Sequence, residues 1–245
     1  MTEGNYLLPM TPSTTVLITG ATHGIGRATA FVLGRAGYRV GVCARTAPKV
    51  AALVEELRAA GIEAAGRAGD VAQPGDATAV VAHVADALGE IGVLVNNAGV
   101  LIARPIAELT VEDWDATMST NLRGLFLMTR AVLPSMRARG RGDLVNVASL
   151  AARNGFVGGA AYVASKHAVL GFGRSLMLEL RKEGIRVITI CPGSVDTGML
   201  RDQPMLKADP DRILQPEDVA EAILHTLRQP HRALVSEVDL RPTNP

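Results

Sequence analysis

The sequence predicts an α/β protein, a doubly wound parallel sheet with helices on both faces. Three observations predict it. Short apolar runs alternate with amphipathic stretches from Thr15 onward, which is the rhythm of βαβ units. Those runs are rich in Val, Ile and Leu, as expected of strands covered on both faces. The chain has 245 residues, of which 48% are hydrophobic and 20% charged. With no internal repeat, linker or low-complexity tract, that length and composition suit a single domain with one large core.

Thr15-Val-Leu-Ile-Thr19 is the first buried strand. Gly20-Ala-Thr-His-Gly24-Ile-Gly26 follows, then a helical pattern through Ala28, Phe31 and Val32 that stops at Gly37. A glycine loop between a strand and a helix lets backbone amides and a helix N-terminus face a pyrophosphate. Arg39-Val-Gly-Val-Cys-Ala44 is the second strand. An acidic residue near its end would accept the ribose hydroxyls of NAD, and none is present. Arg45 is either a solvated arginine or a partner for the 2′-phosphate of NADP. NADP(H) is therefore favoured, with NAD(H) still admissible.

Thr46 is the expected cap of the next helix, with Pro48 in its first turn, Val50, Leu53, Val54 and Leu57 as its inner face, and Gly61 as its stop. Residues 62–69 form the third strand and end at Asp70-Val71; residues 74–88 form another amphipathic helix. Gly92-Val-Leu-Val-Asn96-Asn97-Ala98-Gly99 is a fourth strand running into a turn of small and polar residues. Thr110-Val-Glu-Asp113 has the pattern of a capping box and opens a long helix. Trp114, Met118, Leu122, Leu125 and Phe126 keep helical spacing within it. Asn121 lies mid-helix, where asparagine is mildly unfavourable. It either faces solvent or lines a site. Pro134 is expected to bend or end this helix.

Gly142-Asp-Leu-Val-Asn-Val-Ala-Ser149 is the fifth strand, with Ser149 at its C-terminal end, the side on which open parallel sheets bind ligands. Residues 160–181 form a helix rich in alanine and glycine, which suits close contact with another subunit. Residues 185–191 are strand six, ending at Pro192-Gly193. Residues 197–215 carry little pattern and are expected to be a substrate lid. Pro216 opens the last helix, and residues 232–241 close the sheet as strand seven. Residues 1–13 read as a loose arm.

The bulk numbers exclude several classes. Net charge is +1 with no block of like charge, so binding of nucleic acid or a membrane surface by bulk charge is not expected. No run of 18 apolar residues would span a membrane, and no signal peptide is visible. Cys43 and Cys191 fall in different strands, and no metal-ligand spacing occurs. They read as buried reduced thiols, and the expectation is a cytoplasmic protein without a metal site.

Tyr162 and Lys166 stand four apart, one turn along one helix face. An ammonium there is expected to lower the phenol pKa from its ordinary value of ~10. With the Ser149 hydroxyl alongside, the group is suited to moving a proton on or off a carbinol.

Together these pieces resemble the short-chain dehydrogenase/reductase family along nearly the whole chain. The resemblance rests on Thr19-Gly20-x-x-x-Gly24-x-Gly26, Asp70, Asn96-Asn97-Ala98-Gly99, Asn121, Ser149, Tyr162-x-x-x-Lys166, and Pro192-Gly193 with Thr197. It implies a Rossmann-type sheet of seven parallel strands in the order 3-2-1-4-5-6-7. It implies Tyr162 as general acid/base, Ser149 as oxyanion holder, Lys166 on the nicotinamide ribose, and Asn121 orienting a water beside Lys166. Gly20, Thr22, His23, Gly24, Ile25 and Gly26 would surround the phosphates. Asp70 and Val71 would hold the adenine. Asn97, with Ala98 and Gly99, would border the adenosine ribose and tie strand four to strand one. Pro192, Gly193, Val195 and Thr197 would lie at the nicotinamide, with Thr197 on the carboxamide.

Two departures stand out. His23 occupies a position where many members have a more basic residue, and a neutral imidazole would hold a 2′-phosphate less firmly. The ending Glu237-Val-Asp-Leu-Arg-Pro-Thr243 replaces the frequent Asp-Gly-Gly and resembles a branch acting on small hydroxy acids. Arg104, Arg153, Arg201 and Lys207 are candidates for an anionic substrate, each also readable as a solvated charge. The expected activity is interconversion of a secondary alcohol and a ketone, on a small ketone or hydroxy acid. A 3-oxoacyl thioester reductase is the enzymatic alternative, and a catalytically silent NADP-binding sensor or scaffold is the alternative of another class. The resemblance also implies a homo-oligomer, tetramer or dimer.

Overall fold

The computed structural model describes residues 14–203, 205–206 and 209–243. The expected N-terminal arm and Lys207 lie outside them. Seven strands, β1 (Thr15–Thr19), β2 (Arg39–Ala44), β3 (Ala64–Ala68), β4 (Ile91–Asn96), β5 (Gly142–Val147), β6 (Ile185–Pro192) and β7 (Glu237–Leu240), form one sheet. Its order is β3-β2-β1-β4-β5-β6-β7, as the family resemblance implied, and every pairing is parallel.

The helices are α1 (Gly24–Arg35), α2 (Ala47–Ala59), α3 (Pro74–Leu88), α4 (Val111–Met118), α5 (Gly124–Arg139), α6 (Ala160–Leu180), α7 (Gly198–Arg201) and α8 (Pro216–Leu227). Alternate strand residues face opposite layers, as the two-residue strand period requires. Val16 and Ile18 pack with α1, α2 and α8, while Leu17 packs with α3 and α5. Helix α2 shows how this follows from sequence. Val50, Leu53, Val54 and Leu57 are all buried, and each such side chain contributes roughly 1.5–3 kcal/mol by leaving water. Among the described residues, no helix is long and apolar enough to cross a membrane.

Several expectations change in detail. The helix opening at Thr110 is interrupted: α4 passes into a π-turn at Ser119–Arg123 before α5 begins. Only half of the expected capping box forms there. Thr110 Oγ1 accepts from the Asp113 amide at 3.1 Å, while the Asp113 carboxylate turns to Arg104. A full box opens α8 instead, between Gln215 and Asp218. Thr46 stands at the start of α2 in extended backbone, but its side chain makes no capping hydrogen bond. Pro134 does not end α5, which runs on to Arg139. The proline is exposed, so its missing N–H falls on the solvent side, where its loss costs least.

Strand β5 stops at Val147, leaving Ser149 two residues beyond it as the cap of a 3-10 turn, Leu150–Ala152. Strand β7 has four residues rather than the expected ten, and forms only alongside the last four residues of β6.

Candidate active site

At the C-terminal end of β1 the chain enters the glycine loop. Gly20 (φ +62°) and Gly24 (φ +53°) adopt left-handed backbone, which side-chain-bearing residues reach only at a cost. A Cβ on Gly20 would stand 2.8 Å from the Ala98 Cα, and one on Gly26 would stand 2.5 Å from Asn97 Nδ2. The loop thus lies directly against the end of β4. Thr19 is the hub of that junction. Its Oγ1 accepts from the amides of Asn97 (3.1 Å) and Ala98 (3.0 Å) and donates to the Val95 carbonyl. Asn97 Nδ2 donates back to the carbonyls of Thr19 (2.9 Å) and Gly20 (3.1 Å).

This bonding fixes the N-terminus of α1. Its capping residue, His23, makes no side-chain cap, and no acidic side chain lies in the first turn. The leading amides and the positive end of the helix dipole are open to an anion. Among the described residues, the exposed His23 ring has Thr22 as its hydrogen-bond partner (3.3 Å). Thr197 closes the loop from the other side, its methyl 3.0 Å from where a Gly24 Cβ would be. Arg45 is exposed at the end of β2 and, among the described residues, has no ion-pair partner. Asp70 shapes the turn after β3, accepting from the Ala72 amide at 3.0 Å. Val71 is buried against Gly124 at the start of α5. A Cβ on Gly99 would come 3.3 Å from Asn121 Oδ1 and 3.7 Å from Lys166 Nζ. The bare backbone there lets the loop pass over both groups.

The π-turn explains Asn121. Its side chain is buried and fully engaged, donating to the Val100 carbonyl (3.0 Å) and Ser165 Oγ (3.0 Å) and accepting from the Val100 amide (2.7 Å). It therefore lines the site rather than facing solvent. Ser165 Oγ in turn donates to the Tyr162 carbonyl at 2.7 Å, so Asn121 is coupled to the helix carrying the tyrosine. Lys166 is 5% exposed, and its Nζ donates to the Val147 carbonyl at 2.9 Å, 5.6 Å from the Tyr162 ring centre. The Ser149 hydroxyl accepts from the Ala151 amide at 3.1 Å and stands close enough to the Tyr162 phenol to lower its pKa.

The electrostatics correct one expectation. Burial pushes the Tyr162 phenol up to about 12, and the neighbouring Ser149 hydroxyl recovers only part of that. Burial likewise brings Lys166 down to about 8. Desolvation outweighs the attraction expected from the i, i+4 pair, so the phenol is protonated at neutral pH. Cys43, pushed up to about 12, and Cys191, also raised by burial, are free thiols held in their neutral form.

Ser149 and Tyr162 open onto a cavity of about 590 Å³. Ile25, Pro192, Gly193, Val195 and Thr197 line it toward the glycine loop. Leu101, Phe156, Met199, Leu200, Met205 and Leu206 give it an apolar wall. Part of that wall belongs to the 197–215 segment, which holds a short helix, α7, and a bridge between Val195 and Leu214.

The cations expected near the substrate are engaged elsewhere. Arg104 pairs with Asp113 at 3.0 Å and Arg201 with Asp196 at 2.8 Å. Arg153 bonds both Glu237 (2.6 Å) and Asp239 (2.8 Å). Arg174 adds a second guanidinium to Glu237, and the pair hold its carboxyl down at about 2. This cluster joins the turn behind Ser149, helix α6 and strand β7. Sequence reading missed it because its members lie up to 86 residues apart and carry no motif. It also missed Arg241, which lines the cavity.

Comparison with known proteins agrees with this geometry. The family model for short chain dehydrogenase matches residues 14–206. A Streptomyces virginiae protein named provisionally as a ketoacyl reductase of monensin polyketide synthase is 49% identical over 194 residues, 78% of this chain and 74% of the relative. A crystal structure of a single-residue variant of actinorhodin polyketide ketoreductase with NADPH superposes with a TM-score of 0.87 at 38% identity, covering 94% of this chain and 96% of the other. An alcohol dehydrogenase from the archaeon Thermococcus sibiricus, complexed with 5-hydroxy-NADP, gives 0.86 at 28% identity, covering 94% and 97%. The chain belongs to the short-chain dehydrogenase/reductase family, and is an NAD(P)-dependent oxidoreductase of the alcohol/ketone type.

Proposed function

We propose that this protein uses NADP(H) to reduce a ketone carried on an apolar carbon skeleton to the secondary alcohol. The observation that carries the reading is the Ser149–Tyr162 hydroxyl pair at the mouth of the apolar cavity, with Lys166 and Asn121 buried beneath it. When bound, NADPH supplies the hydride. Gly20, Gly24 and Gly26 let the loop pack against Ala98, Asn97 and Thr197, which sets a helix N-terminus with no competing acid where a pyrophosphate can bind. Arg45, exposed and without an ion pair among the described residues, is the group to meet the 2′-phosphate.

At the substrate, Ser149 holds the carbonyl oxygen and the Tyr162 phenol delivers the proton that completes the alcohol. A phenol protonated at neutral pH is the form this direction requires. Lys166 contributes positive charge beneath the ring and a donor toward a ribose, and Asn121 fixes loop and helix around it. Thr197 and the rest of 197–215 act as a lid.

The relatives named as ketoacyl or polyketide ketoreductases support a second reading, in which the ketone arrives as a 3-oxoacyl thioester. A silent sensor is disfavoured, because every group of the proton-transfer cluster is present and mutually placed. Trp114, Phe126 and Leu178 on α4, α5 and α6 stay 39–58% exposed, which supports burial of these helices in a homo-oligomer.

The test is NADPH oxidation against a panel of ketones and 3-oxoacyl thioesters. Tight NADPH binding without turnover of any carbonyl would leave the sensor reading in place. Arg45→Ala is expected to raise KM for NADPH roughly tenfold, the effect of losing about 1.4 kcal/mol, and to leave KM for NADH within twofold. An equal change for both cofactors removes Arg45 from the phosphate site.

A further inference from the structure

Arg241 is the one charged residue among the described residues that line the cavity; every other lining group is apolar or neutral. It leaves the end of β7 at the cavity rim, and its backbone is held in place on both sides. The Gly193 amide donates to the Leu240 carbonyl at 2.8 Å, and the Pro242 ring lies 3.0 Å from where a Gly193 Cβ would be. Among the described residues its side chain has one long ion pair. The nearest carboxylate, Asp239, is 3.8 Å away and already accepts a 2.8 Å bond from Arg153. Asp211 and Asp218 border a shallow hollow on the other side of Arg241. Among the described residues neither forms an ion pair with it, and Asp218 is occupied in capping α8.

We infer that Arg241 is the specificity residue of this cavity and binds an anionic oxygen group carried by the substrate at the far end of its apolar chain. The inference rests on the ketone-reductase reading and adds the charge of the substrate to it. A guanidinium presents a planar fork that matches a carboxylate or phosphate, and at 58% side-chain exposure this one is open to such a group at the cavity rim. No acidic side chain among the described lining residues opposes an anion there. The anion has two sources, a carboxylate belonging to an oxo acid or the phosphate of a pantetheine-type thioester arm.

The test uses matched substrates at constant NADPH: oxo acids of graded length with their methyl esters, and one 3-oxoacyl group on neutral N-acetylcysteamine and on 4′-phosphopantetheine. The wild-type protein is expected to prefer an anionic member over its neutral partner by tenfold or more in kcat/KM, chiefly through KM. Arg241→Gln is expected to bring that ratio toward one, Arg241→Glu to invert it, and Arg241→Lys to restore part of it. Preference within the carboxylate pair identifies an oxo acid, and preference within the thioester pair identifies the carrier phosphate. If neutral substrates are reduced while the ratio does not respond to Arg241, the inference falls and the reductase reading stands. If the wild type reduces none of the panel, both fall.

Discussion

The two sides of the cavity are held in different ways. The floor, where β1, β4 and β5 end, is tied by buried polar side chains with several partners each. The Thr19 hydroxyl makes three hydrogen bonds, and Asn97 and Asn121 join the chain at points 21 to 78 residues distant. The outer wall, formed in part by the described residues of 197–215, is attached mostly through backbone and surface contacts. Gln203 Oε1 accepts from the Ala103 amide at 3.1 Å, Met205 lies over Gly158, and Val195 bridges Leu214. Proton transfer needs groups fixed to within fractions of an ångström, and buried polar side chains are concentrated in the floor. The wall has to admit and release a substrate, and stays at the low-stability end of the molecule.

Three perturbations test this contrast. Tyr162→Phe acts on the floor's chemistry alone. It is expected to lower kcat by roughly 10²–10⁴-fold while NADPH affinity, read by fluorescence titration, stays within about threefold, the level of ~0.6 kcal/mol. Activity within tenfold of wild type would remove Tyr162 from proton transfer.

The next largest effect is on stability. Lys166 ionises near 8 when folded, against an ordinary value of 10.5. As pH falls from 10.5 to 8 the unfolded chain takes up the proton first, so folding stability is lost; as pH rises again it is regained. That gap corresponds to about 3 kcal/mol. Urea titrations at pH 8 and pH 10.5 should show wild type gaining about that much relative to Lys166→Met. Tyr162, raised to about 12, stabilises fully below pH 10 and its contribution is lost as pH climbs toward 12. Being present in both proteins, it cancels in the difference. A pH-independent difference would mean that Lys166 is not desolvated as its burial implies.

Smallest of the three is Gln203→Ala in the wall. KM for the ketone should rise about two- to fivefold, with unfolding free energy within ~0.5 kcal/mol of wild type, as for a substitution outside the core. A loss of 2 kcal/mol or more would show that the wall is structural like the floor.

The same contrast decides what could be read from sequence. The strands, most helix spans and the sheet order followed from periodicity and from the family pattern, because burial on both faces leaves long apolar runs. The floor residues were legible because their spacing is local: Gly20 to Gly26, Asn96 to Gly99, Tyr162 to Lys166. The Arg153–Glu237–Asp239–Arg174 cluster was not, since its partners meet only after β7 docks beside β6. Nor was the sign of the Tyr162 shift. The four-residue spacing announces the lysine, but only the packed structure shows how little water either group retains. Arg241 was legible only as the last residue of strand seven, and its place at the cavity follows from the packed structure.

The π-turn at Ser119–Arg123 has a consequence for how this protein can change. Such a turn holds one residue more than a regular helix. Deleting one residue would straighten the helix and rotate α4 by about 100° against α5. Either Asn121 would leave Val100 and Ser165, or Leu127, Met128 and Val132 would leave the core. Loops elsewhere in the chain can lengthen or shorten with little penalty. This helix length works as a ratchet: the extra residue, once built into both the site and the core, cannot be given back without dismantling one of them.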